Sequence, residues 1–240
     1  MNDSTEVLQK RRLEMVKAMQ EDFVVKDPLV IEAIATVPRH RFVDEEDLSR
    51  AYEATHLFVK NGVTISHPGF VAYTIEQLKL TSSSRVLDIG GGTGYHAAVM
   101  GQIAEAVYSV EYIAPMVIQA QAVLKELGYD NVFISQGDGF NGMESMAPFD
   151  AINIVCTVEQ IPIQLVNQLK VGGRMILPIG SVAKETGLNA QKLVLVEKIQ
   201  DPFVRDGIHY DSFYNSFDLR WAHVVPMVGI AQNRDVLSHP

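Results

Sequence analysis

A single cysteine, Cys156, leaves this 240-residue sequence without the means for an internal disulfide framework, and a reducing compartment is expected. Positive charge is also scarce: 20 Lys and Arg stand against 29 Asp and Glu, for a formal net charge of -9. The longest Lys/Arg run is Lys10-Arg11-Arg12, too short to supply the clustered cations that phosphate recognition needs, and nucleic acid is not expected as a general partner. No apolar run approaches the ~20 residues that cross a bilayer, so no membrane partner is expected either. The first residues, Met1 to Glu6, lack the basic start and apolar core of a secretion signal, and a cytoplasmic location is the expectation. His40, His56, His67 and His96 are scattered without metal-ligand spacing, so no metal site is predicted. Internal repeats are absent too. What remains, 47% hydrophobic and 20% charged, is enough to bury a substantial core.

The most informative stretch runs from Arg85 to Tyr95. Val86, Leu87 and Ile89 make a short apolar run that stops at glycines, as a buried parallel strand does before a tight turn and a helix. Gly90, Gly92 and Gly94 allow positive φ and bring a ligand close to the main chain. The helix expected from Tyr95 aims its free N–H groups at the same place. Asp88 separates this turn from a pyrophosphate site, since its carboxylate suits a cationic nucleoside such as S-adenosylmethionine better than NAD.

Upstream, residues 5–20 pattern as a helix, and Asp27-Pro28 starts a second that Pro38 ends. A short helix is predicted over 44–52, an extended piece over 57–59, and a helix after Ser66 and Pro68, with Ser66 as its N-cap. Downstream, strands at 106–111, 132–136, 149–156 and 174–179 alternate with helices at 115–127 and 162–169. Such alternation predicts a doubly wound, Rossmann-like, mostly parallel sheet. Strands at 192–199 and 224–230, without a helix between them, predict an antiparallel edge. A single domain is expected: an N-terminal helical cap over 1–80, a core over 81–199, and an aromatic-rich segment with a final strand over 200–240.

In such a sheet ligands lie beyond the carboxyl ends of the strands. Gly90, Gly91, Gly92, Thr93 and Gly94 follow the first strand. Glu111 ends the second, where a carboxylate suits ribose hydroxyls. Asp138, before Gly139, follows the third, where a carboxylate accepts from an adenine amino group. Together with Asp88 these residues are the predicted cofactor site.

Several motifs then resemble one family. Val37-Pro-Arg-His-Arg-Phe-Val43, Ala51-Tyr52, Thr64-Ile-Ser66, Val86 to Tyr95, Val107 to Glu111, Gly137-Asp-Gly139, Ala147 to Ile152, Gln168 to Arg174, Leu177-Pro-Ile-Gly180 and Val225-Pro-Met227 run in family order. The chain thereby resembles the protein-L-isoaspartate (D-aspartate) O-methyltransferases, a class I S-adenosylmethionine-dependent family. The resemblance implies methyl transfer to the α-carboxylate of isoaspartyl residues in proteins or peptides, after which the ester closes to a succinimide. It implies that Ser66 orients the acceptor carboxylate, with Thr64, Ile65, His67, Thr157 and Val158 lining the acceptor site.

The sequence departs from the family pattern at Ala54 to Gly62, where an Asp and a Pro-Leu-Pro-Ile-Gly-like run are usual. It departs again at Val155 to Pro162, where Val158 and Glu159 replace small residues. Competing readings are a relative with a specialised peptide or small-molecule acceptor and a non-catalytic S-adenosylmethionine-binding protein. A nicotinamide dehydrogenase fits least well. No oligomeric state is implied.

Overall fold

The computed structural model describes residues 5–59, 63–180, 191–205, 208–210 and 213–222. The chain enters through α1 (Thr5–Phe23) and α2 (Pro28–Thr36), crosses a small hairpin of β1 (Leu57–Val59) and β2 (Val63–Ile65), and reaches α3 (Pro68–Leu78). Asp27 caps α2 as predicted, its carboxylate accepting from the Leu29 amide at 2.9 Å. The helix expected over 44–52 is a 3₁₀ helix, Glu45–Arg50, that buries none of its residues. Without an apolar face to dock, so short a segment has nothing to hold a longer α-helix.

Strand and helix then alternate: β3 (Arg85–Ile89), α4 (Tyr95–Gly101), β4 (Ala106–Glu111), α5 (Ala114–Glu126), β5 (Val132–Gln136), β6 (Phe149–Ile154), α6 (Ile163–Asn167) and β7 (Leu169–Ile179). β8 (Gln191–Gln200), β9 (Phe203–Arg205), β10 (Ile208–Tyr210) and β11 (Phe213–Ala222) follow. Seven of these strands form one sheet in the order β11-β8-β7-β6-β3-β4-β5. The pairs from β7 to β5 are parallel, whereas β8 runs antiparallel to both β7 and β11. The fold is thus the doubly wound, mostly parallel sheet with an antiparallel edge that the sequence predicts.

Two details differ from the sequence reading. β7 begins at Leu169 rather than Arg174: Leu169 pairs with Phe149 and Arg174 with Ala151, and the residues between them, with Gly172 at a φ of +80, bulge out of the ladder. The edge partner of β8 is β11, drawn from the stretch read as an aromatic link; residues 224–230 lie outside the described residues. Aromatic and β-branched residues favour strands, so the aromatic content was itself a strand signal.

The pleat divides the core into two layers. Val86, Val107, Ala151 and Ile176 face α1 to α5, whereas Leu87, Ile89, Val110, Ile152, Ile154 and Leu177 face the α6 side. The helical cap shares the first layer: Met15, Met19, Ile34, Val71, Ile75 and Val86 belong to one buried cluster. The chain passes from β3 outward to β4 and β5, then returns to β6 on the other side of β3. The crevice this reversal opens lies at the carboxyl end of β3, above the glycine loop.

Candidate cofactor and acceptor site

At that switch point Gly90, Gly92 and Gly94 all adopt positive φ, at +86, +50 and +86. Gly91 is required for space instead: a Cβ there would stand 2.3 Å from Ser109 Oγ. The loop's amides are largely used internally. Those of Gly90 and Gly91 both donate to the Val110 carbonyl, at 2.9 and 3.3 Å, and that of Gly94 donates to the Gly91 carbonyl at 2.8 Å. The Gly92 amide donates to Glu111 Oε2 at 2.8 Å. A pyrophosphate site presents such amides to the ligand; here the loop offers a bare backbone surface beside a carboxylate.

Asp88 lies beneath this surface. It pairs in register with Ser109 on β4 and with Asn153 on β6, so three polar side chains form a row across three strands. Ser109 Oγ donates to one carboxylate oxygen and Asn153 Nδ2 to the other, each at 2.9 Å. Asp88 is fully buried, and burial pushes its pKa from 3.8 up to about 6 against the lowering by Asn153 and Ser109, with Glu111 adding to the rise. The sequence assigns Asp88 to the cofactor site, and the structure buries it fully at the base of the glycine loop. The alternation of β3 turns its side chain into the sheet. Ser109 and Asn153 were missed by sequence reasoning, because register between strands distant in the chain is not written locally.

Glu111 ends β4, and both of its oxygens are anchored: Oε2 by the Gly92 amide and Oε1 by the Ile113 amide at 2.8 Å. Asp138 follows β5 and accepts from the Phe140 amide at 3.0 Å, capping a short turn, Gly139–Asn141. Gly139 packs against β3, where a Cβ would stand 2.4 Å from Ile89 Cγ2. The predicted acids Glu111 and Asp138 therefore stand at the ends of neighbouring strands on the rim of the glycine loop. Tyr112, next to Glu111, keeps 48% of its surface exposed and was not singled out by the sequence. An exposed aromatic directly after a strand-end acid is the signal that could have found it.

The acceptor-side residues arrive on the hairpin. Val63 Cγ1 lies 3.2 Å from the position a Gly92 Cβ would take, so β2 packs directly over the glycine loop. Thr64 and Ile65 continue that strand, and Ser66 follows it half-buried. Ser66 is not the N-cap of α3. His67 takes that place, its Nδ1 accepting from the Gly69 amide at 3.0 Å. Burial holds the His67 imidazole below its usual pKa, against the raising by the Ala54 backbone. The Ser66 hydroxyl has no hydrogen bond to the described residues.

Thr157 and Val158 are buried, and the Val158 amide donates to the Pro178 carbonyl at 3.1 Å. Glu159 is exposed, so its carboxylate need not point at an acceptor. Cys156 is buried, and burial beside Glu111 and Asp88 pushes its thiol well above the usual range, which leaves it no nucleophile. His96 is lowered to about 3 by burial and by Arg39, and is neutral near pH 7. Among the described residues no group of His, Cys, Asp and Glu has the arrangement of a metal site. No described helix is long and apolar enough to cross a membrane.

Arg39, fully buried, links the two sides of the site. Its Nε and Nη2 donate to the carbonyls of Ala51 and Thr55, at 2.9 and 3.2 Å, ahead of the hairpin. Its guanidinium lies 4.9 Å from the ring centre of Tyr95, the first residue of α4.

Comparison with known proteins points to one family and one fold. A model of the family "Protein-L-isoaspartate(D-aspartate) O-methyltransferase (PCMT)" matches residues 10–214. A protein-L-isoaspartate O-methyltransferase of Synechococcus sp. is 39% identical over 206 residues, covering 85% of this chain and 84% of its own. A protein-L-isoaspartate O-methyltransferase 2 of Polaromonas sp. is 43% identical over 175 residues, covering 73% and 81%. A solved protein-L-isoaspartate O-methyltransferase superposes with a TM-score of 0.77 at 28% identity, covering 95% of this chain and 71% of that one. The fold is also that of a Plasmodium falciparum structure described as a putative protein-L-isoaspartate O-methyltransferase in complex with S-adenosyl-L-homocysteine. That match has a TM-score of 0.72 at 21% identity and covers 90% of this chain and 98% of that one.

Proposed function

The chain belongs to the protein-L-isoaspartate (D-aspartate) O-methyltransferase family, and on that premise we propose that it methylates the α-carboxylate of L-isoaspartyl residues in peptides or proteins, with S-adenosylmethionine as donor. The observation that carries this reading is the contact of the hairpin with the glycine loop, Val63 over Gly92. It supports a site in which an acceptor held at Ser66 meets a donor held by the loop.

The residues fit that donor. Gly90, Gly91, Gly92, Thr93 and Gly94 give a close backbone approach without a pyrophosphate cradle, which suits a nucleoside. Glu111 supplies acceptors for ribose hydroxyls and Asp138 for the adenine amine, with the exposed ring of Tyr112 beside them. Asp88 holds the floor through Ser109 and Asn153 and adds negative charge under a cationic ligand.

S-adenosylmethionine, which the glycine loop, Glu111 and Asp138 would hold, would supply an electrophilic sulfonium methyl for the acceptor carboxylate, with the thioether as leaving group. A carboxylate is ionised near neutral pH and needs no base to activate it. That agrees with a site whose nearby His67 is engaged as a cap and whose His96 is buried and neutral. The chain's work is positional. The Ser66 hydroxyl donates to one carboxylate oxygen and turns the other toward the methyl group, with Thr64, Ile65, Thr157 and Val158 shaping the walls. One domain, comprising cap, core and antiparallel edge, carries the whole site, and the lone buried Cys156 suits a reducing, cytoplasmic setting.

The test is transfer of a labelled methyl group to an isoaspartyl peptide. The label should leave as methanol in mild base, as a carboxyl ester requires; label stable to base would contradict carboxyl methylation.

A further inference from the structure

The outer face of the β1–β2 hairpin carries an aromatic pair that neither the fold nor the cofactor site uses. Leu57 and Val59 are buried, whereas Phe58 between them keeps 72% of its surface exposed, the largest value among the exposed large hydrophobics of the described residues. Phe58 stands opposite Thr64 in the hairpin register, and Leu57 stands opposite Ile65. The ladder ends at that second pair, with His56 and Ser66 just beyond it. The rings of His56 and Phe58 pack edge to face, with centroids 5.7 Å apart. His56, Phe58 and Thr64 thus share one outer patch, with Thr64 two residues before Ser66.

At this exposure the Phe58 ring contributes little to the core and remains available as a contact surface. Placed beside a hydroxyl that orients a carboxylate, it offers a surface for the residue next to that carboxylate. We propose that Phe58, with His56, forms a platform for an apolar or aromatic side chain flanking the acceptor isoaspartate, and so sets sequence preference. This rests on the peptide-acceptor reading of Ser66 given above. The acceptor peptide is the occupant because the patch is continuous with that site. The platform also lies within Ala54 to Gly62, where the sequence departs from the pattern of the family it resembles.

The experiment uses the full-length protein and three isoaspartyl peptides that differ only in whether phenylalanine, glycine or glutamate flanks the isoaspartate. The phenylalanine peptide should exceed the glycine peptide in kcat/KM by about fivefold, the size of one aromatic contact. In Phe58→Ser that ratio should fall below about twofold, and in Phe58→Tyr it should persist. Thermal midpoint and S-adenosylhomocysteine affinity, measured alongside, should match the parent in both variants. A ratio near one in the parent, or an unchanged ratio in Phe58→Ser, would overturn the platform and leave the isoaspartyl reading standing. Transfer to none of the peptides would overturn that reading and the platform with it.

Discussion

Replacing Asp88 with asparagine separates what this carboxylate does for the ligand from what it costs the fold. Asp88 is fully buried, and burial raises its pKa from 3.8 to about 6 despite hydrogen bonds from Asn153 and Ser109. At ~1.4 kcal/mol per pH unit, that displacement corresponds to about 3 kcal/mol of native-state destabilisation. The direction follows from proton binding. Below pH 3.8 the carboxyl is protonated in both states and contributes nothing. Between pH 3.8 and about 6 the unfolded chain loses its proton first, so stability falls as pH rises; above about 6 the full cost is present. In Asp88→Asn the amide oxygen can still accept from Asn153, and the amide nitrogen can donate to Ser109 Oγ. The variant should therefore unfold at higher urea concentration than the parent at pH 8, by up to about 3 kcal/mol, and the difference should close as pH falls toward 4. Its S-adenosylmethionine affinity should fall about tenfold with the loss of negative charge beneath the loop. A less stable variant at pH 8, or a difference that does not narrow on acidification, would refute the reasoning.

Other substitutions test the remaining parts of the site. Ser66→Ala should lower kcat about tenfold or more while leaving S-adenosylhomocysteine affinity within about twofold, read by calorimetry beside single-turnover kinetics; equal loss of both would remove its orienting role. Glu111→Gln would turn an amide NH2 toward either the Gly92 or the Ile113 amide, a donor facing a donor, at ~1–3 kcal/mol, and should weaken cofactor binding accordingly. Gly92→Ala places a Cβ at positive φ and 3.2 Å from Val63 Cγ1, so both cofactor affinity and turnover should drop as loop and hairpin move apart. The Cys156 thiol should react with a disulfide reagent only after denaturation, since burial raises its pKa; rapid labelling of the native protein would contradict this.

How far the sequence carried these conclusions depended on whether the signal was local. The strand-turn-helix at Val86 to Tyr95 was legible because the apolar run and the glycine spacing lie within a few residues. β4 and β5 were legible to the residue for the same reason. The two strand-end acids followed from a rule about where ligands bind in such sheets, not from long-range contacts. What escaped was non-local. The row of Ser109, Asp88 and Asn153 requires the register of three strands, and the packing of Val63 over Gly92 requires the hairpin to fold back onto the loop. The cap of α3 was misread by one residue because serine is the commoner N-cap, while the His67 ring nitrogen can do the same work when the backbone carries it there. The aromatic edge strand, Phe213–Ala222, escaped because the pattern placed the final strand at 224–230 and took the aromatic-rich stretch before it as a link.

The central claim is that acceptor identity is set by an isoaspartyl α-carboxylate presented to Ser66 above the glycine loop. Two synthetic peptides of one sequence, one with isoaspartate and the other with ordinary aspartate, should be offered with labelled S-adenosylmethionine. The account predicts that base-labile label enters the isoaspartyl peptide alone. Equal labelling of both, or labelling of neither by protein that binds the cofactor, would contradict it.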